Sequence, residues 1–191
     1  MIPLSRVDFI KKYDSEITNL IKDTGILKGT LYAQLFIESS TKPTYLVGSS
    51  KLSKEANNFF GIKAQQGYKG NVYTIKTREQ KKDGTDYFIT ANFRKYTSPL
   101  DSIKDYILFL QENKRYRDNG FFQAKTVKEQ AEVLQKSGYA TDKNYSTLID
   151  SVYNSIKKNF KDTIKNVTPS KILPPILLFA LLLGVYKYVN N

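Results

Sequence analysis

Cysteine, histidine and tryptophan are all absent from this 191-residue chain. Without cysteine there is no disulfide framework, no thiol nucleophile and no thiolate metal site, while the redox compartment stays open. Without histidine the usual general base near neutral pH is missing, which excludes Ser-His-Asp and Cys-His catalysis and His-ligated zinc. Acid–base chemistry therefore falls to carboxylates, tyrosines or lysines, and neither a metal nor a cofactor is expected. Acidic residues are also scarce: 18 Asp and Glu face 30 Lys and Arg, a formal charge of +12. Such an excess implies a polyanionic partner or surface, whether nucleic acid, anionic lipid or an acidic cell wall.

What is present is the material of one globular domain. The length suits a domain of about 150 residues with a short appendage. Apolar residues make up 40% of the chain and charged ones 25%, with 14 Tyr and 11 Phe, so disorder is excluded for the bulk. No nucleic-acid-binding motif accompanies the basic charge, which is spread over several elements, and nucleic acid is not expected as a partner.

The N-terminal stretch MIPLSRVDFIKKYDSEI has no apolar run of signal-peptide length, so no secretory signal is expected in it. Near the other end, ILPPILLFALLLGVYKYV (residues 172–189) is the one membrane-like segment, and its charge-free part is the 15 residues 172–186. As a helix those residues cover roughly 22 Å of a hydrocarbon core about 30 Å thick. Lys187 snorkelling between Tyr186 and Tyr188 extends that reach. Insertion in a membrane and packing against another protein are both open for this segment. Six lysines and one aspartate lie between Ile156 and the end of the chain, and residues 157–171 read as a lysine-rich linker.

Between the ends, the pattern is mainly helical. Phe9, Ile10, Tyr13, Ile17, Leu20 and Ile21 fall at three- and four-residue steps and predict a helix over 5–21. A second helix is predicted over about 28–39, with Glu38 near its C-terminal end, followed by a polar loop over 39–50. NVYTIKTREQ and YFITANF, separated by KKDGTD with its Asp83-Gly84 pair, predict a β-hairpin over 71–93. Ser98-Pro99-Leu100-Asp101 opens a helix, with Ile103, Tyr106, Ile107 and Leu110 on its buried face. Thr126-Val127-Lys128-Glu129 is a capping box for another, stopped at Gly138. A last long helix from about residue 143 buries Tyr145, Leu148, Ile149, Val152, Tyr153 and Ile156.

Five segments occur in a telling order: AQLFIESS (33–40), NFFGIKA (58–64), YTIKTRE (73–79), FRKYTSPLDSIKDY (93–106) and SGYATDKNYS (137–146). Together they closely resemble the glucosaminidase family of peptidoglycan hydrolases, which includes autolysins, flagellar hydrolases and phage lysins, over about residues 9–156. The resemblance implies a lysozyme-like α+β fold, mainly helical with one hairpin, as a catalytic domain over 1–156. It also implies hydrolysis of the β-1,4 bond between N-acetylglucosamine and N-acetylmuramic acid. Glu38 matches the family's catalytic glutamate, but Ser40, Thr41 and Lys42 stand where the family has glycine and aromatic residues.

The chemistry of the residues agrees with this reading. A glycosidase needs a protonated carboxylic acid beside the bond oxygen, and an apolar wall favours the neutral form; Leu35, Phe36 and Ile37 are expected to supply one for Glu38. A second carboxylate activates water or stabilises charge at the anomeric carbon. Glu79 matches the family's Thr-x-Glu position, with Asp83 and Asp86 as rivals. Tyr139 matches a groove tyrosine. Asn58, Phe60, Lys63 and Tyr96 are expected to bind the glycan, since aromatic rings and polar rims suit sugars. The competing readings are a muramidase or lytic transglycosylase, and an inactive wall-binding or structural tail protein on the same scaffold. A phage lysin, a virion tail component, or a bacterial autolysin held by its tail each fits the cell-wall and membrane-associated location.

Overall fold

A helix with no polar face has to be enclosed, and KGTLYAQLFIES is such a sequence: apolar or small residues occur on every side of it. It forms α2 (Lys28–Ser39), whose first nine residues and Ser39 are all buried. Around it stand α1 (Arg6–Ile21), α6 (Val127–Lys136) and α7 (Tyr145–Asn159), and α4 (Pro99–Glu112) packs against α1 and reaches α2 through Tyr106. The computed structural model describes residues 2–80, 85–140 and 142–159, with side chains at all of these except 78–80, 86, 158 and 159. The expected hydrophobic helix at 172–189 lies outside the described residues, as does the linker after 159. Among the described residues no helix is long and apolar enough to cross a membrane.

The helix starts fall where the capping residues put them. The Ser5 hydroxyl accepts the Asp8 amide at the start of α1, Ser98 accepts the Asp101 amide ahead of Pro99, and Thr126 and Glu129 form a reciprocal capping box on α6. Two short helices escaped the sequence pattern, α3 (Lys51–Ala56) and α5 (Lys114–Asp118). Neither completes enough turns to show a period. A serine cap, Ser50, starts α3, and Asn57 ends it in the left-handed region at φ 48°.

The hairpin pairs β1 (Val72–Gln80) with β2 (Asp86–Arg94) in antiparallel register from Val72↔Arg94 to Gln80↔Asp86. Its side chains alternate in exposure. Tyr73, Ile75, Thr77, Ile89, Ala91 and Phe93 are half-buried or buried, whereas Thr74, Lys76, Phe88, Thr90 and Asn92 are exposed. The root of the hairpin is stitched to the body: Ala64 N–H donates to Asn92 O at 2.8 Å, Arg94 N–H to Ile62 O at 3.0 Å and Tyr96 N–H to Ala56 O at 2.8 Å.

One glycine sets how closely α2 and α7 approach. A Cβ at Gly29 would sit 2.4 Å from Tyr153 Cε2 and 2.9 Å from Val127 Cγ2. Helix propensity alone favours alanine there by about 1 kcal/mol, but the ring and the branched valine leave no room. Gly29→Ala is therefore expected to destabilise the fold by about 1–3 kcal/mol, as overpacking does, read as a lower denaturant midpoint; an unchanged or raised midpoint would disprove the close packing.

Candidate active site

Glu38 occupies the last turn of α2 and is half-buried, where the enclosed helix emerges. The Tyr145 hydroxyl donates to its Oε1 at 2.7 Å. That hydroxyl in turn accepts from Gln34 Nε2 at 3.1 Å, and Gln34 Oε1 accepts a short hydrogen bond from the Tyr106 hydroxyl. Gln34 and Tyr106 are fully buried and Tyr145 is 4% exposed. Of the residues expected to wall Glu38, Phe36 turns elsewhere: it packs edge-on to Phe9 and against Tyr32. Adjacent helix positions face different directions, whereas Gln34 at i−4 shares the face of Glu38. The wall is thus made of phenols from other elements.

Tyr139 belongs to that wall. It is 4% exposed, its hydroxyl donates to Phe60 O at 3.3 Å, and its ring stacks on Tyr145 at 5.6 Å between centroids. Tyr106 lies edge-on to Tyr139 at 6.1 Å and stacks on Phe60 at 3.9 Å. Burial pushes the phenols of Tyr106, Tyr139 and Tyr145 well above their ordinary range, and the nearby Glu38 carboxylate adds to the effect in all three. They remain neutral donors wherever a carboxyl group titrates.

The other sequence-expected residues separate into support and rim. Phe60 is 2% exposed and lies in the core under Tyr106, so its ring offers no face to a sugar. Asn58, 1% exposed, is a clamp: its Nδ2 donates to Ile62 O at 2.9 Å and Arg94 O at 2.8 Å, and its Oδ1 accepts the Ile62 amide. All of its bonds go to backbone, which leaves it the task of shaping the turn. Lys63 is half-buried and pairs with Phe93 through a β-bridge at the hairpin root. The Tyr96 hydroxyl donates to Asp105 Oδ2 at 2.5 Å, beside the bonds from Arg94 Nη1 to both Asp105 oxygens at 2.8 Å. Burial, then Asp105, raises the Tyr96 phenol. Glu79, on β1, pairs with the exposed Tyr87 on β2. Its side chain lies outside the described residues, as do Asp83 and the side chain of Asp86.

The segment after Glu38, where the sequence departs from the family pattern, is a pinned loop. Ser50 N–H donates to Ser39 O at 2.8 Å, Thr41 N–H to Ser49 Oγ at 2.8 Å and Gly48 N–H to Ser39 Oγ at 3.3 Å. Tyr45 projects from it, half exposed, with φ 49°. Among the described residues no cluster of three Asp or Glu stands ready for a metal ion.

Comparison with known proteins fits this geometry. The family model described as mannosyl-glycoprotein endo-beta-N-acetylglucosaminidase matches residues 15–158. The chain belongs to the glucosaminidase family. This family member is 34% identical over 167 residues to exo-glucosaminidase LytG of Bacillus subtilis, covering 85% of the chain and 54% of LytG. It is 30% identical over 150 residues to peptidoglycan hydrolase FlgJ of Salmonella typhimurium, covering 78% and 46%. The chain thus spans about half the length of these relatives. Among solved structures, the catalytic domain of the autolysin Auto from Listeria monocytogenes is 30% identical with a TM-score of 0.67, covering 85% of this chain and 90% of that one.

Gln34, Tyr106 and Tyr145 were not singled out by the sequence as site residues. Tyr106 and Tyr145 read as buried helix faces, and the one signal for Gln34 was its place a single turn before Glu38. The Arg94–Asp105–Tyr96 cluster ties the hairpin root to α4 with partly buried charge. Asp105→Ala leaves the Arg94 guanidinium without its carboxylate and is expected to cost about 2–3 kcal/mol. A denaturant midpoint indistinguishable from wild type would show that the cluster does not hold the hairpin.

Proposed function

We propose that this chain hydrolyses the glycan strands of peptidoglycan at the β-1,4 bond between N-acetylglucosamine and N-acetylmuramic acid, with Glu38 as general acid. The observation that carries the reading is the half-buried Glu38 carboxyl at the exit of α2, held by Tyr145 against a wall of neutral phenols. The names of LytG, FlgJ and Auto support the wall as substrate. In this mechanism Glu38 gives its proton to the bond oxygen, the C1–O bond breaks with its electron pair on the departing sugar, and the positive charge that develops at the anomeric carbon is met by water, which forms the new C1–O bond and gives up a proton. Glu79 on β1 is the candidate second carboxylate. Tyr139 acts from beneath, by holding the Tyr145 ring and the Phe60 carbonyl. Lys63 and Tyr96 stand at the hairpin root as candidate glycan contacts.

Zymography on peptidoglycan tests the assignment: a clearing band is expected for wild type and none for Glu38→Gln, and equal clearing by the variant would overturn the acid role. Mass spectrometry of the digest should show reducing-end N-acetylglucosamine; reducing-end or anhydro N-acetylmuramic acid would point to a muramidase or lytic transglycosylase instead. The same digest separates internal from terminal cleavage, a distinction made pertinent by the exo-acting name of LytG.

Residues 157–171 and 172–189 are read as a linker and an apolar attachment segment, joining the enzyme to a membrane or a virion tail protein in a lysin-like setting. Deletion of residues 172–191 is expected to leave clearing intact and abolish co-sedimentation with vesicles or particles. Unchanged sedimentation with both would dismiss the attachment role.

A further inference from the structure

Four groups form one hydrogen-bonded line from the core to the surface: Tyr106, Gln34, Tyr145 and Glu38. A carboxamide distinguishes its ends, since Nε2 only donates and Oε1 only accepts, whereas a phenol has a single proton to place. The Tyr106 hydroxyl occupies Gln34 Oε1, which turns Nε2 toward the Tyr145 oxygen at 3.1 Å. A phenol oxygen that receives an N–H sends its own proton elsewhere, and Glu38 Oε1 lies at 2.7 Å. Gln34 is fully buried, so solvent has no route to replace either partner.

We propose that Gln34 is a positioning residue that sets the direction of the Tyr145 hydroxyl, so that this hydroxyl donates to Glu38 Oε1. This rests on the reading of Glu38 as the acid. When Glu38 gives up its proton, the electron pair stays on the carboxylate and the Tyr145 bond becomes charge-assisted, so the line strengthens as the proton leaves. Among the described residues, the titratable groups shown to act on Glu38 or be acted on by it are Tyr145 from α7, Tyr139 from the segment before it and Tyr106 from α4. Lys28 and Asp14 are paired at the opposite end of α2.

The test is the pH profile of the turbidity-clearing rate on purified peptidoglycan. Tyr145→Phe removes a donor to the carboxylate, which favours the protonated acid, so the basic limb is expected to move up by about one pH unit. Gln34→Met keeps the volume but frees the Tyr145 hydroxyl to accept, and is expected to move the limb the same way. The double variant is expected to move it no further than Tyr145→Phe alone. A Gln34→Met profile of unchanged shape, with only the rate or the melting temperature reduced, would overturn the proposal, and so would additive shifts. Should Gln34→Met fail to fold, Tyr106→Phe unlocks the amide without touching Gln34 and carries the same expectation, with no shift again overturning it. Clearing retained by Glu38→Gln would instead remove the acid reading itself, which separates the two failures.

Discussion

The enclosure of α2 is the constraint on which the rest of the structure depends. A helix without a solvent face has no water for its polar side chains, and an unpaired amide or ammonium there costs several kcal/mol. Its polar residues reach out to neighbours, with the buried Thr30 hydroxyl as the exception, since it finds no hydrogen-bond partner. Lys28 Nζ bonds Asp14 at 3.1 Å and Thr18 at 3.0 Å, and the Tyr32 hydroxyl returns to Asp14 at 2.9 Å. Gln34 takes Tyr106 and Tyr145, and Ser39 takes Gly48. From the α6 side, Gln130 accepts the Leu27 amide at 3.0 Å and donates to Gly25 O and Phe121 O. Each bond fixes the rotation and depth of the helix, and so fixes where its last turn delivers Glu38.

The hairpin is held on a different principle. Its root is bonded to the body through Asn58, Ile62, Ala64 and Asp105, and its two strands pair with each other from there to Gln80↔Asp86. Position 79 lies near the distal end of β1. One carboxylate thus stands on the most enclosed element of the fold and the other on an arm anchored at one end. In the proposed mechanism that asymmetry corresponds to two carboxylates of different standing, Glu38 preset by its helix and Glu79 carried on the hairpin.

The helices were legible from local signals: Ser98 with Pro99 and the Thr126–Glu129 box were read as helix starts without tertiary knowledge, and α1 from the three- and four-residue steps of its apolar residues. The hairpin was legible from its alternation and Asp-Gly pair. α3 and α5 were not, being too short for periodicity. In the site, the motif located Glu38 but could not tell a residue that touches a ligand from one that shapes the turn behind it. Asn58 and Phe60 sit inside a recognisable motif, yet their bonds and rings are spent on the protein, because the close Asn58–Ile62 turn and the Tyr106 stack need them there. Gln34 was passed over for the opposite reason. A polar residue on an apolar helix reads as an exception until its partners, 72 and 111 residues away, come into view.

The missing histidine acquires a physical sense from this arrangement. An imidazole beside Glu38 would itself change charge between about pH 5 and 8 and couple its titration to that of the acid. Buried phenols do not: desolvation keeps Tyr106, Tyr139 and Tyr145 protonated far above that range, so the donor to Glu38 has the same charge before and after proton transfer. In the mechanism proposed for Glu38, the hydrogen bond from Tyr145 is then the interaction that changes as the proton leaves, while the phenol that supplies it keeps its own proton.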